Sequence, residues 1–264
     1  MLYFIYYILI GAFVGFVAGL FGIGGGTTQV PLLLIIFKAQ GFPENHIMHL
    51  ALGTSMASIF FTSLSSMRAH HLKGAVRWDI FKGMAPGLLI GTFGGSFFAG
   101  SIPSKGLKIF FVIIMYFASF QIISNFRPKA KTELPGKFGL FVVGLIIGSI
   151  SSLAAAGGGF LTVPFMLYCN VIIYQAVGTS AALGFPIALA GFLGYVVSGI
   201  SVEGLPKYSL GYVYLPALLT IVSMSILTAP KGANLAHRLP VLKLRRLFGI
   251  FLAILATKIL LGII

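Results

Sequence analysis

The chain has 264 residues, of which 58% are hydrophobic and 8% charged, with a formal net charge of +14. Apolar stretches of 18 residues or more recur along its whole length, which leaves no room for a soluble domain and reads as one all-α integral membrane unit over 1–264. A barrel would need apolar and polar residues alternating over about ten positions, a pattern missing here. The single cysteine, Cys169, excludes an intramolecular disulfide and a cysteine-based metal cluster.

In chain order, the long apolar stretches are 3–21, 47–65, 80–100, 106–126, 138–155, 175–198, 209–229 and 244–264, and two shorter runs lie at 27–37 and 160–169. The first stretch has no basic residue ahead of it and no clean cleavage site, so it reads as part of the fold and not as a signal peptide. Each short run follows a glycine-rich break: GLFGIGGGTTQVPLLL at 19–34 and SLAAAGGGFLTVPFML at 152–167. Aligning Gly24, Gly25 and Gly26 with Gly157, Gly158 and Gly159 also aligns Pro31 with Pro164. A second pair follows, ALGTSMAS at 51–58 against AVGTSAAL at 176–183, and Pro86 echoes Pro216. The sequence is thus expected to be two homologous repeats, about 1–128 and 136–264, joined by a polar linker at 129–135.

Basic residues concentrate on the cytoplasmic side of membrane proteins. If all eight long stretches span, Lys and Arg divide 10 to 8 between the two sides, which gives no orientation. If 3–37 and 138–169 are instead re-entrant hairpins, the division becomes 13 to 5. The basic loops 66–78, 127–137 and 230–246 then lie in the cytoplasm and both termini outside. Each half would hold one hairpin and three transmembrane helices, so the halves are expected to be inverted, a common transporter plan. The positive charge is explained by these loops, none of which is long enough to form a nucleic-acid-binding face.

Three consecutive glycines cost a helix roughly 1 kcal/mol each, and freed backbone groups cannot stay unpaired in lipid. Such a break belongs in protein or beside a hydrated cavity. Thr27-Thr28-Gln29-Val30-Pro31 reads as a new helix start, with a threonine as N-cap and the proline in or near the first turn. The second copy has Phe160 where a capping threonine would stand. N–H groups at the start of such a helix form an anion site. The hydroxyls of Thr54, Ser55, Thr179 and Ser180, within the two Gly-Thr-Ser triplets, add neutral donors. Glycines at 11, 15 and 19, and at 91 and 95, are spaced for close helix packing.

The acids number four, Glu44, Asp79, Glu133 and Glu203, and all lie in loops or at helix ends, which disfavours a cation site. His49, one turn before the first Gly-Thr-Ser, is the histidine placed to handle protons, with snorkelling to the interface beside His46 as its alternative. An intramembrane enzyme would need a nucleophile, base or metal constellation that these segments lack, so neither catalysis nor a metal or other cofactor is expected.

With GIGGGTTQVP and AAGGGFLTVP at the start of its two halves, the chain resembles the TauE/SafE family of sulfite and organosulfur-anion exporters over essentially its full length. The resemblance points to Gly24, Gly25, Gly26, Pro31, Gly157, Gly158, Gly159 and Pro164. The second copy departs from the first in having Ala155-Ala156 in place of Gly22-Ile23. Thiosulfate-uptake relatives use cysteines in transport, and neither motif here contains one. Family likeness implies a secondary transporter in the cell membrane that moves sulfite, a sulfonate or a similar small anion by alternating access between the repeats. Backbone N–H groups at Gly25, Gly26, Thr27, Gly158, Gly159 and Phe160 would bind the anion together with the four hydroxyls, Thr28 lying beside them, and protons are the candidate coupling ion. An anion channel with the same neutral filter, or a carrier of a non-sulfur oxyanion, are the alternatives.

Overall fold

A computed structural model describes residues 2–21, 25–124, 132–236 and 241–262. The described residues form ten helices in two runs of five. The first run is α1 (Leu2–Phe21), α2 (Gly26–Ala39), α3 (Ile47–Leu72), α4 (Trp78–Ala99) and α5 (Ser104–Ile123). The second is α6 (Lys137–Ala154), α7 (Gly159–Tyr168), α8 (Ile173–Gly199), α9 (Leu215–Ala236) and α10 (Val241–Leu261), with a short hairpin, β1 (Ser209–Leu210) and β2 (Val213–Tyr214), ahead of α9. Four of the described helices, α3, α5, α6 and α8, are long and apolar enough to cross a membrane. The apolar surface they and their neighbours leave outside, including Ile90, Phe98, Ile113, Phe120 and Leu227, is what a bilayer would cover.

Three boundaries differ by more than three residues from those expected, one being the end of α9, which runs on to Ala236 through the start of the expected 230–246 loop. The basic segment at 66–72 continues α3, because SSMRAHHL contains neither glycine nor proline and the helix ends only at Lys73-Gly74, where Gly74 has φ 66°. The apolar run beginning at 209 opens as the hairpin, with Ser209 opposite Tyr214 and Leu210 opposite Val213, turned at Gly211 with φ 55°. The Tyr212 N–H then donates to the Tyr195 carbonyl at 3.1 Å and ties the turn to α8.

Helix pairing crosses between the runs. α1 lies mainly along α9 and α6 mainly along α4, while α3 and α8 pack on each other at the centre. Small residues permit the approach: a Cβ at Gly11 would sit 2.6 Å from the Ile221 carbonyl oxygen, and one at Gly15 would sit 2.5 Å from the Ser225 Cα. On α6, Gly144 and Gly148 press in the same way on the Met84 and Leu88 carbonyls of α4. The surroundings of Gly19 lie outside the described residues. α2 packs on α3 and α7 on α8, so each short helix is held by its own run's central helix.

Candidate functional site

Both glycine breaks build the same backbone turn. Gly25 (φ 71°, ψ −15°) and Gly158 (φ 75°, ψ −10°) occupy the left-handed region just before α2 and α7, a conformation open to glycine at little cost. Each carbonyl then accepts the first two helical bonds: Thr28 and Gln29 N–H on Gly25 at 3.1 and 3.0 Å, Leu161 and Thr162 N–H on Gly158 at 2.9 and 2.8 Å. The N-cap is therefore glycine in both copies, and no threonine side chain caps α2 as expected, because the left-handed turn starts the helix ahead of Thr27. Gly26, Thr27, Gly159 and Phe160 stand in the first turns, where backbone N–H groups have no acceptor within their own helix. Pro31 and Pro164 fall in the second turn, not the first. Each removes the N–H that would reach the carbonyl four residues back, at Thr27 and at Phe160. Gly24 lies outside the described residues, as do Gly22 and Ile23.

The breaks meet. A Cβ on Gly26 would collide with the carbonyl oxygen of Ala155, which ends α6 in the left-handed region at φ 42°. The Gly157 carbonyl faces Gly184 of α8, with Ser63 of α3 next to it. Gly25, Gly26, Gly157 and Gly158 are all buried, so the junction lies inside the protein.

The side chains around the two breaks differ. Thr27, Thr28 and Gln29 of α2 are each at most 1% exposed, and Ser55 of α3 is fully buried. The Thr27, Thr28 and Ser55 hydroxyls and Gln29 Nε2 have no hydrogen-bond partner among the described residues. In the second copy the corresponding positions are Phe160, Leu161, Thr162 and Ser180. There the Thr162 and Ser180 hydroxyls bond each other at 2.7 Å, and Thr162 also donates to the Gly158 carbonyl at 2.9 Å. Unpartnered buried polar groups are costly and call for an explanation. A ligand at the start of α2 would supply a partner for those of them that face it. Glu44, Glu133 and Glu203 lie in loops and Asp79 in the first turn of α4, so no carboxylate competes for them.

The two threonines of the Gly-Thr-Ser triplets have a structural task that sequence reading missed. The Tyr214 N–H donates to Thr54 Oγ1 at 3.0 Å, and the Arg77 N–H donates to Thr179 Oγ1 at 2.9 Å. Tyr214 immediately precedes α9 and Arg77 immediately precedes α4, so each threonine pins the entry to a corresponding helix. The adjoining glycines do likewise: Gly53 abuts the Tyr212 carbonyl and Gly178 abuts Ala75. Each threonine keeps its own hydroxyl proton free for a second bond. His49 is 2% exposed, which excludes snorkelling. Its Nε2 stands 3.0 and 3.1 Å from the Ala99 and Ile102 carbonyls, so that nitrogen carries the proton and ties α3 to the α4–α5 turn. The signal that could have revealed the site's asymmetry is the Thr-Thr-Gln against Phe-Leu-Thr contrast.

The paired helix breaks meet inside a bundle with several apolar helices, and the class of protein, a membrane transporter, comes from its relatives. The chain belongs to the sulfite exporter TauE/SafE family, whose profile matches residues 7–259. It is 37% identical over 250 residues to a probable membrane transporter protein of Haemophilus influenzae, covering 94% of this chain and 95% of that one. A probable membrane transporter protein of Methanocaldococcus jannaschii is 26% identical over 257 residues, 96% and 94% of the two chains. The YdhB probable membrane transporter protein of Bacillus subtilis is 28% identical over 205 residues, 73% and 78%. No solved structure matches. The family is one of transporters, not enzymes, and among the described residues no group of His, Cys, Asp or Glu is placed to hold a metal ion.

Proposed function

We propose that the protein is a secondary transporter for a small sulfur-containing anion, bound where the two breaks meet and released by rocking of one repeat against the other. The observation that carries this reading is the set of buried, unpartnered neutral groups in the first turn of α2, Thr27, Thr28 and Gln29, next to the contact of Gly26 with Ala155, with the unpartnered Ser55 on the adjoining α3. Neutral donors suit an anion because they avoid the desolvation cost of a buried cation. The sulfur chemistry rests on membership of the sulfite exporter family. The crossed pairing of α1 with α9 and α6 with α4, and the matching Thr54 and Thr179 anchors, support two repeats about 1–128 and 136–264.

The positive-inside count favours a cell-membrane orientation with the 66–78, 127–137 and 230–246 segments in the cytoplasm. That count needs each break to return the chain to the side it entered from. At about 1.5 Å per residue α2 and α7 are about 21 and 15 Å long, shorter than a membrane core of about 30 Å. The test is uptake of radiolabelled sulfite, thiosulfate, sulfate and a simple sulfonate into proteoliposomes, with and without a pH gradient. Saturable uptake of one anion, lost in Gly25→Leu, is expected, and acceleration by the gradient identifies protons as the coupling ion. A flux above about 10⁵ per second would mark a channel, since domain motions take microseconds to milliseconds. No flux of any sulfur anion removes the substrate class.

A further inference from the structure

A cavity of about 220 Å³ opens between α2, α5 and α10, reaching Pro31 but lined by none of the break glycines. One wall is apolar: Pro31, Leu34 and Ile35 of α2 face Leu255 and Ile259 of α10. The rim carries Lys38 near the end of α2, Lys108 in the second turn of α5 and Lys258 in the last turn of α10. One acid, Glu44, stands among them, 3.6 Å from Lys38 and 3.5 Å from Lys108. Lys258 has no acidic partner among the described residues, and the Lys108 side chain is only 17% exposed. Three ammonium groups against one carboxylate leave the rim with an excess of positive charge.

We propose that this cavity binds an acidic phospholipid, its phosphate among Lys38, Lys108 and Lys258 and one acyl chain along Leu34, Ile35, Leu255 and Ile259. All three lysines lie near helix ends, the level at which hydrocarbon gives way to headgroups and where lysines reach for phosphate. From Lys38 down to Pro31 the wall runs about 10 Å along α2 at about 1.5 Å per residue, room for the upper part of a chain. A free anion would leave that wall uncovered. A second copy of this chain is the wrong partner by charge. Only four acids exist in the whole sequence, one is already in the cavity, and Asp79 is taken by Arg77.

Native mass spectrometry of the delipidated, detergent-solubilised chain tests this, with dioleoyl phosphatidylglycerol, dioleoyl phosphatidylcholine and inorganic phosphate as separate titrants. Phosphatidylglycerol is expected to bind in preference to phosphatidylcholine. Lys258→Gln should weaken it about fivefold, the worth of one basic residue at an anionic surface, and Lys108→Gln by at least as much. Ile35→Trp fills the apolar wall, leaves every charge in place, and should also lose the lipid. Lys258 and Ile35 are both exposed, so these two variants should keep the wild-type thermal midpoint. Equal binding of the two lipids, or no effect of Lys258→Gln, would overturn the proposal. So would inorganic phosphate binding unaffected by Ile35→Trp, which marks a free-anion site, or a doubled mass lost in Ile35→Trp, which marks a second copy.

Discussion

The two breaks share a backbone and differ in chemistry. Gly25 and Gly158 agree in φ within 4° and in ψ within 5°, and each is followed by a proline in the second turn of its helix. Yet the first break is followed by three buried polar side chains with unsatisfied atoms, and the second by Phe160, Leu161 and a threonine whose hydroxyl is already bonded. The two breaks thus share what makes a turn in a membrane feasible and differ in the side chains that follow it. A substrate held between them would find Thr27, Thr28 and Gln29 on one side, and Phe160 and Leu161 with the unpartnered Ser151 hydroxyl on the other.

The backbone half of that comparison breaks first. Gly25→Leu and Gly158→Leu both force a branched side chain into the left-handed region, at about 1–2 kcal/mol before any clash, and the new side chains would also meet Val14 and Ile187 respectively. Uptake in proteoliposomes should fall to background for both, and retention of flux in either would remove that break from the site. Next comes the chemical half. Gln29→Leu should reduce saturable uptake about tenfold or more, the worth of one hydrogen bond to a charged ligand, while the thermal midpoint holds or rises. Thr162→Val should instead lower stability by about 1 kcal/mol, because its bond to Ser180 is internal to the protein. Equal behaviour of the two variants would show the asymmetry to be inconsequential.

Smaller effects sharpen the symmetric part. Thr54→Val and Thr179→Val each strip the acceptor from one backbone N–H, at about 1–3 kcal/mol if that group stays buried and unpaired. Thermal unfolding in detergent should drop by similar amounts in the two, and a large inequality would show that only one anchor is in use. The smallest change is expected of His49→Gln, which keeps an N–H for the Ala99 and Ile102 carbonyls. Its uptake should stay within about twofold of wild type, the size of a few tenths of a kcal/mol. Loss of the pH-gradient response in that variant would instead assign His49 to proton coupling.

Helix positions were legible because apolar runs, glycines and prolines act locally. The ends of α4, α6, α7 and α8 fall within two residues of the apolar stretches read from the chain. The hairpin at 209–214 was not legible, since Leu210, Tyr212, Val213 and Tyr214 merge with the apolar pattern of α9 until Gly211 is seen to turn them back. The duties of Thr54 and Thr179 were hidden for another reason: their partners lie 160 and 102 residues away. A repeat in sequence says that two segments correspond, but not that each will pack against the other's fourth helix. The polar cluster was half legible. Ser55 was readable as a hydroxyl donor, whereas the Thr27 and Thr28 side chains read as caps and Gln29 as neither, and these three join it only once burial and the lack of a partner are known.

The crossed pairing of α1 and α6 bears on how the protein is made. α6 emerges from the ribosome after α4 and finds its partner waiting. α1 emerges first, and its partner α9 begins at Leu215, some 200 residues later. At about 5–20 residues per second the delay is roughly 10–40 s, during which the face of α1 carrying Gly11 and Gly15 is unmatched in the bilayer. Truncation before α9 makes that delay permanent, and a quality-control protease that recognises unpaired small-residue faces would meet the same orphan helix in every incomplete chain.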